Sequence, residues 1–341
     1  MLLMKVHITN LYGVGGTTTK AQNDVTDIVK RDLQYGELGI YCYAVESDSE
    51  EMLRTRIEGI ISSVGSGDVV VLQTPTWNNM LLEEKLMDRL NVRIGAKKIV
   101  LIHDVIPLMY PNWVVPLSRY IEFYNRADVL IVPSQGMIDF LRSHGLTVKK
   151  VVVQRMFDGA LSVDTTKKPR FEKVINFAGN PNGDKCAFIR EWRHNNIQLA
   201  VTANDGEWAQ DKNIRFLGWF NNDNLLADAL RNSGGFGVLW SDDPIWREYI
   251  KINASYKFST YLASGIPVIV PCGIAEEKTI IKKNLGLVVD SLDEAVERIE
   301  HMNEEEYNRM VNSVEAFAYL LREGYFTKKA LTDAVFKLLY D

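Results

Sequence analysis

DVVVLQT at residues 68–74 and KKIVLI at residues 97–102, with a helical pattern at about 79–90 between them, decide the fold class. Both apolar runs are continuous and rich in β-branched residues or Leu, as strands buried on both faces of a parallel sheet must be. The same alternation extends in both directions. MKVHIT (4–9) and LGIYCYAV (38–45) precede the pair, and DVLIVP (128–133) follows it, with helical patterns near 113–126 and 134–144. Thr19-x-x-Gln22 and Ser47-x-x-Glu50 have the spacing of capping boxes and predict two helix starts. Repeated βαβ units with right-handed crossovers imply an open, doubly wound α/β sheet.

The alternation lapses after KKVVVQ (149–154). Residues 155–172 are polar, contain Gly and Pro and lack periodicity, which predicts a linker. It then restarts with VINFAG (174–179), IQLAVT (197–202), IRFLG (214–218), GFGVLW (235–240), PVIVP (267–271) and GLVVD (286–290). Helices are expected near 184–194, 222–232, 253–264 and 275–283. Ser291-x-x-Glu294 and Asn303-x-x-Glu306 cap two more. The expected organisation is an N-terminal Rossmann-like domain over 1–154, a linker over 155–172 and a C-terminal Rossmann-like domain over 173–321. A terminal helix within 322–341 is expected to pack back toward the first domain. Two such domains facing one cleft would bind ligands at the carboxyl ends of their strands.

Composition narrows the function. The chain has 341 residues, 46% hydrophobic and 24% charged, which is ordinary globular usage. A net charge of −5 argues against a general nucleic-acid binder. No apolar run reaches the ~18–20 residues that span a bilayer. The start of the chain reads as a strand rather than a signal peptide, so a cytoplasmic protein is expected. Cys42, Cys186 and Cys272 are scattered and form neither a disulfide framework nor a zinc motif.

The predicted strand ends carry the chemistry. Gly13, Gly15 and Gly16, then Thr17 and Thr18, follow the first strand at a helix start. That turn suits phosphate or sugar, or is simply flexible. It is not GxGxxG, and Glu46 only weakly suits the ribose position. His103 and Asp104 end the fourth strand and could orient a sugar or move a proton, or be structural. Gly179, Asn180 and Lys185 form a possible anion-binding turn. Trp219 and Phe220 could stack on a planar base or belong to the core. Lys257 near a helix start, in the stretch Ser255–Gly265, could meet a diphosphate or be a solvated surface lysine. Gly273 and the Glu276-Glu277 pair open another helix at a strand end.

The "GN" turn at 179–180, FLGW (216–219) and K-x-x-T-Y-L-A-x-G-x-P-V-I (257–269) resemble the nucleotide-sugar half of GT-B glycosyltransferases. ITN, ELGIYCY, QTPTWN, IHDVIPLM, SYKFSTYLASGIPVIV and GYFT, spread nearly end to end, resemble the streptococcal glucosyltransferases that add glucose to GlcNAc-modified serine-rich-repeat adhesins. The resemblance implies a UDP-glucose donor, a GlcNAc-bearing protein acceptor and a homo-oligomer. It places Gly179, Asn180, Trp219, Tyr256, Lys257 and, with a local length difference, Lys185 on the UDP side. It places Gly15, Gly16, Thr17 and Thr18 in a donor-facing loop, and His103 and Asp104 on the acceptor side. Many retaining GT-B enzymes carry two glutamates separated by seven residues, where this chain has Ile252 and Thr260, and Thr260 could replace the missing ribose-gripping carboxylate only partly. No cofactor or metal is expected. Rival readings are another hexosyltransferase such as a galactofuranosyltransferase, a non-catalytic glycopeptide-binding subunit and a nucleotide-sugar epimerase.

Overall fold

The computed structural model describes residues 4–204 and 213–341, with the side chains of Thr18 and Asp184 outside that description. It divides into two compact units: residues up to Arg155 together with Phe326–Asp341, and Met156–Tyr325.

The first unit holds a parallel six-stranded sheet. Its strands are β1 (Val6–Tyr12), β2 (Gly36–Tyr41), β3 (Val69–Thr74), β4 (Lys97–Ile102), β5 (Val129–Val132) and β6 (Val151–Val153). Their spatial order is β2-β1-β3-β4-β5-β6. Every residue of β3 and of β5 is buried, which is why those runs read as continuously apolar. The helix Tyr325–Leu339 belongs to this unit except for its first residue. Lys328 pairs with Asp32 at 3.0 Å, and Lys150 Nζ donates to the Lys337 carbonyl at 2.7 Å.

The second unit repeats the architecture. Its strands are β7 (Val174–Phe177), β8 (Gln198–Val201), β9 (Ile214–Phe216), β10 (Phe236–Val238), β11 (Val268–Pro271) and β12 (Gly286–Val289). The order β12-β11-β10-β7-β8-β9 reverses direction between β7 and β10. Crossovers leave that point on opposite sides, so a crevice opens at the carboxyl ends of those two strands. The stretch 155–172, expected as a linker, packs with this unit: Met156, Phe157 and Asp158 are buried.

Local signals were realised unevenly. Ser291 accepts from the Glu294 N–H at 3.1 Å while Glu294 returns to the Asp290 N–H at 2.8 Å. Asn303 caps the helix Glu304–Arg322, whose Tyr307, Met310, Val311, Val314, Ala318 and Leu321 are buried. The Thr19 box does not form. The helix Thr17–Leu33 starts earlier, with Gly16 at its cap, and Thr19 Oγ1 donates instead to the Val14 carbonyl. Ser49 rather than Ser47 caps the helix Glu50–Ile60, because Ser47 closes a preceding turn onto the Ala44 carbonyl. The region expected as one helix near 253–264 is the second of two, Pro244–Ile252 and Tyr256–Ala263.

Candidate functional site

The crevice of the second unit is built around Gly179. After β7 the chain turns with the Ala178 N–H donating to the Tyr261 hydroxyl at 2.7 Å and the Gly179 N–H to Thr202 Oγ1 at 3.0 Å. The turn is thus clamped to the helix Tyr256–Ala263 on one side and to the end of β8 on the other. Gly179 has φ +148°, and a Cβ there would sit 2.7 Å from Lys257 Cε and 3.3 Å from its Nζ. Only glycine leaves room for the lysine stem to lie against the turn.

Lys257 Nζ rests 5.6 Å from the centre of the Phe177 ring. Burial, and then the nearby charge of Lys185, hold its ammonium below the ordinary lysine pKa. Lys185 itself lies over the Trp246 ring at 4.5 Å. Among the described residues, neither ammonium forms a salt bridge. Lys257 also sits in the first turn of its helix, where the macrodipole disfavours a cation. The cap residue Ser255 makes no side-chain capping bond to that turn. Two like charges and an uncapped helix start are therefore gathered without compensation, and a bound anion would relieve all three.

The neighbours of this cluster shape the site. Asn180 is exposed, and its side chain accepts from the Asn182 N–H at 2.9 Å, so it sets the loop's turn. Trp219 is 58% exposed, its Nε1 donating to Asn221 at 2.9 Å. That excludes the core alternative for Trp219 and leaves its ring face open for stacking. Tyr256 is half-buried at the helix start. Thr260 is buried and its hydroxyl donates back to the Tyr256 carbonyl at 3.0 Å. Its proton is committed within its own helix, so toward a ribose the oxygen could act only as an acceptor.

In the first unit, Gly15, Gly16 and Thr17 are exposed in the loop after β1. Gly16 takes φ +85° at a helix start that no side chain caps. Thr18 follows in the first turn, its side chain outside the described residues. Glu46 is tied to Asn79, which accounts for that carboxylate without a ribose.

His103 is reassigned by its surroundings. It is buried at the end of β4, with Nε2 2.8 Å from Gln73 Oε1. The Gln73 amide nitrogen faces three acceptors, Thr9 O, Gln22 O and Thr26 Oγ1. Its oxygen must therefore be the acceptor, and His103 carries its proton on Nε2. Burial pushes the imidazole pKa down to about 3, so the ring is neutral near pH 7. A neutral ring held in this way is suited to orienting its neighbours at neutral pH, one of the two roles considered from sequence. Asp104, next along the chain, is half-exposed. Sequence reading missed Gln73 and Glu83. Burial raises the Glu83 carboxyl to about 7, and it accepts the Thr76 N–H at 2.6 Å. Gln73 opens the QTPTWN stretch and Glu83 stands outside any motif, but their partners lie away from them in the chain, so only the fold reveals what they do.

Among the described residues, no three His, Cys, Asp or Glu side chains are grouped to hold a metal, and no helix is long and apolar enough to cross a membrane.

Comparison with known proteins adds to this geometry. The family described as "Glucosyltransferase 3-like, N-terminal domain" matches residues 5–156, and its C-terminal-domain counterpart matches residues 175–334. Glucosyltransferase 3 of Streptococcus gordonii is 41% identical over 344 residues, covering 98% of this chain and 100% of the relative. Beta-1,6-galactofuranosyltransferase WbbI of Escherichia coli K12 is 23% identical over 217 residues, 61% of this chain and 63% of that protein. Among solved structures, Anabaena Alr3699/HepE in complex with UDP superposes with TM-score 0.65 at 10% identity, covering 97% of this chain and 99% of the other.

Proposed function

We propose that this chain, which belongs to the Glucosyltransferase 3-like family, transfers glucose from UDP-glucose to GlcNAc already attached to a serine-rich-repeat adhesin. The chain has the GT-B fold and is a glycosyltransferase. The choice of donor and acceptor is our reading. The observation that carries it is the pair of ammonium groups, Lys185 and Lys257, gathered at the glycine turn with no salt bridge to either among the described residues. A diphosphate is the ligand whose charge and size suit that cluster and the adjoining helix start. Trp219 would take the uracil ring, and Tyr256 would line the diphosphate.

The chemistry follows from charge. As the glycosidic bond breaks, negative charge grows on the departing UDP. Lys257 and the N–H groups at the start of Tyr256–Ala263 gain more from that charge than from the bound donor, which lowers the barrier. We propose that these groups suffice without a resident metal, so transfer should persist in a chelator. Asp104 is proposed as the base that takes the proton from the acceptor hydroxyl. His103, neutral and held by Gln73, would keep the β4 end in place. A cytoplasmic homo-oligomer belongs to the same proposal.

A second reading has one observation in its favour, the similarity to WbbI, and makes the donor a UDP-galactofuranose. One experiment separates the two. A GlcNAc-modified adhesin peptide is incubated with a panel of UDP-sugars and weighed by mass spectrometry. Addition of one hexose from UDP-glucose alone supports the first reading. Addition from UDP-galactofuranose alone replaces it, and no addition from any donor defeats both.

A further inference from the structure

The helix Pro244–Ile252 has two working faces. Trp246 backs Lys185 beside the glycine turn, while Arg247, Glu248 and Lys251 line a different cavity of about 500 Å³ at the carboxyl ends of β10, β11 and β12. That volume is in the range of small-molecule sites. None of its lining residues belongs to the diphosphate cluster.

The lining is chemically specific. Its four charges cancel, Arg247 and Lys251 against Glu248 and Asp290. Lys251 pairs with Glu248 at 2.6 Å, so a phosphate or carboxylate ligand would have to displace a carboxylate already in place. The half-buried Trp240 ring supplies an apolar wall. Ser241 lines the cavity and is 6% exposed, and its Oγ has no hydrogen-bond partner among the described residues. A buried hydroxyl without a partner costs about 1–3 kcal/mol and marks a place where a ligand or water should bond. Cys272 is the only thiol there. Its hydrogen bond to the Asp290 carboxylate, followed by burial, pushes it up to about 11. It is mainly a thiol at neutral pH, so it has no mark of an activated nucleophile.

We infer that this cavity is a subsite for a neutral hexopyranoside, separate from the diphosphate site. A sugar has hydroxyls that both donate and accept, matching the mixed carboxylates, cations and serines, and a C–H face that suits the tryptophan wall. The inference stands on the cavity alone and survives if the donor assignment above fails.

Saturation-transfer NMR with methyl N-acetyl-β-D-glucosaminide tests it. Transfer to the glycoside is expected with the full-length protein, and should persist under excess UDP. It should fall several-fold in Lys251→Ala and in Asp290→Asn, with UDP affinity by calorimetry and melting temperature unchanged. In unmutated protein the glycoside should also slow further the already slow maleimide labelling of exposed Cys272, read by peptide mass spectrometry to separate it from half-buried Cys42. Three results overturn the subsite: no transfer to the wild type, equal transfer in both variants, or unchanged Cys272 labelling. Displacement of the glycoside by UDP-glucose but not by UDP would make the cavity the donor's own hexose position, and also ends the claim of a separate subsite.

Discussion

The end of β4 and the end of β7 look alike in sequence, each a strand followed by polar residues, yet they are built on opposite principles. At β4, His103 is neutral and sits in a hydrogen-bonded chain with Gln73, Thr9, Gln22 and Thr26, in which no ionised group takes part. At β7, two ammonium groups approach one another and Gly179 makes room for one of them. A paired, uncharged network stabilises the protein that contains it. Uncompensated charge costs the empty protein free energy and is recovered only when a ligand arrives. The second pattern is therefore the better marker of a binding site.

Lys257 breaks or keeps that contrast most directly. An ammonium bonded to a phosphate contributes ~1.5–3 kcal/mol, or ~10–100-fold in affinity. Lys257→Ala should weaken UDP binding by about that factor, nearly abolish transfer and leave the melting temperature of the free protein unlowered, or raised by relief of the uncompensated charge. Lys257→Arg should restore only part, since the guanidinium fork is not a point-like ammonium. Normal transfer by folded Lys257→Ala would refute the donor site. The next largest effect is expected at Asp104. Asp104→Asn should lower transfer ~10²-fold, the usual scale of general-base catalysis, with UDP affinity nearly unchanged. A loss of folding would make Asp104 structural instead.

Gly179→Ala sharpens the comparison by leaving both lysines present. The new Cβ must push the Lys257 stem aside and hold a positive φ. UDP affinity should drop ~10-fold, with ~1–3 kcal/mol lost in stability from the backbone; unchanged calorimetry would show that Lys257 does not need its present path. Trp219→Leu should cost at least ~5-fold in UDP affinity through lost stacking, with no change in melting because the ring is exposed. Equal loss of UDP and ribose-free diphosphate binding would remove uracil from that position.

The smallest functional effect belongs to the scaffold side. Burial raises the Glu83 pKa from 4.5 to about 7, so the folded protein binds a proton the unfolded chain has already released. This contribution is complete below about pH 4.5 and disappears as pH rises through about 7. A difference of this size corresponds to at most ~3 kcal/mol. Glu83→Gln should flatten the decline in stability between pH 5 and 8 while leaving UDP affinity alone. An unaltered pH profile of unfolding would show that Glu83 is not the group responsible.

How far the sequence could be read depended on range. Twelve apolar runs announced the two sheets, because burial on both faces favours Val, Ile and Leu along β3 and β5, with only the hydrogen-bonded Gln73 and Thr74 at the end of β3 departing. The helix Pro244–Ile252 was missed although its signal was present: Asp243 caps the N–H groups of Ile245 and Trp246, with Pro244 at the first helical position. The Thr19 and Ser47 boxes failed because those hydroxyls found nearer carbonyls, Val14 and Ala44.

By itself, then, the sequence determined the α/β class, the strand ends where ligands could bind, and the glycines and lysine that such binding needs. These are properties of short stretches, set by periodicity and by the conformations each residue allows. Only the tertiary structure decided that Lys185 and Lys257 meet with no salt bridge to either among the described residues, and that Thr260 donates its hydroxyl proton within its own helix. It alone set His103 beside Gln73 and left the Ser241 hydroxyl in a cavity without a hydrogen-bond partner among the described residues. Charge compensation, desolvation and hydrogen-bond satisfaction depend on which distant residues come together. The residues at 73 and 103, or 185 and 257, acquire those properties only when the sheets bring their strand ends side by side.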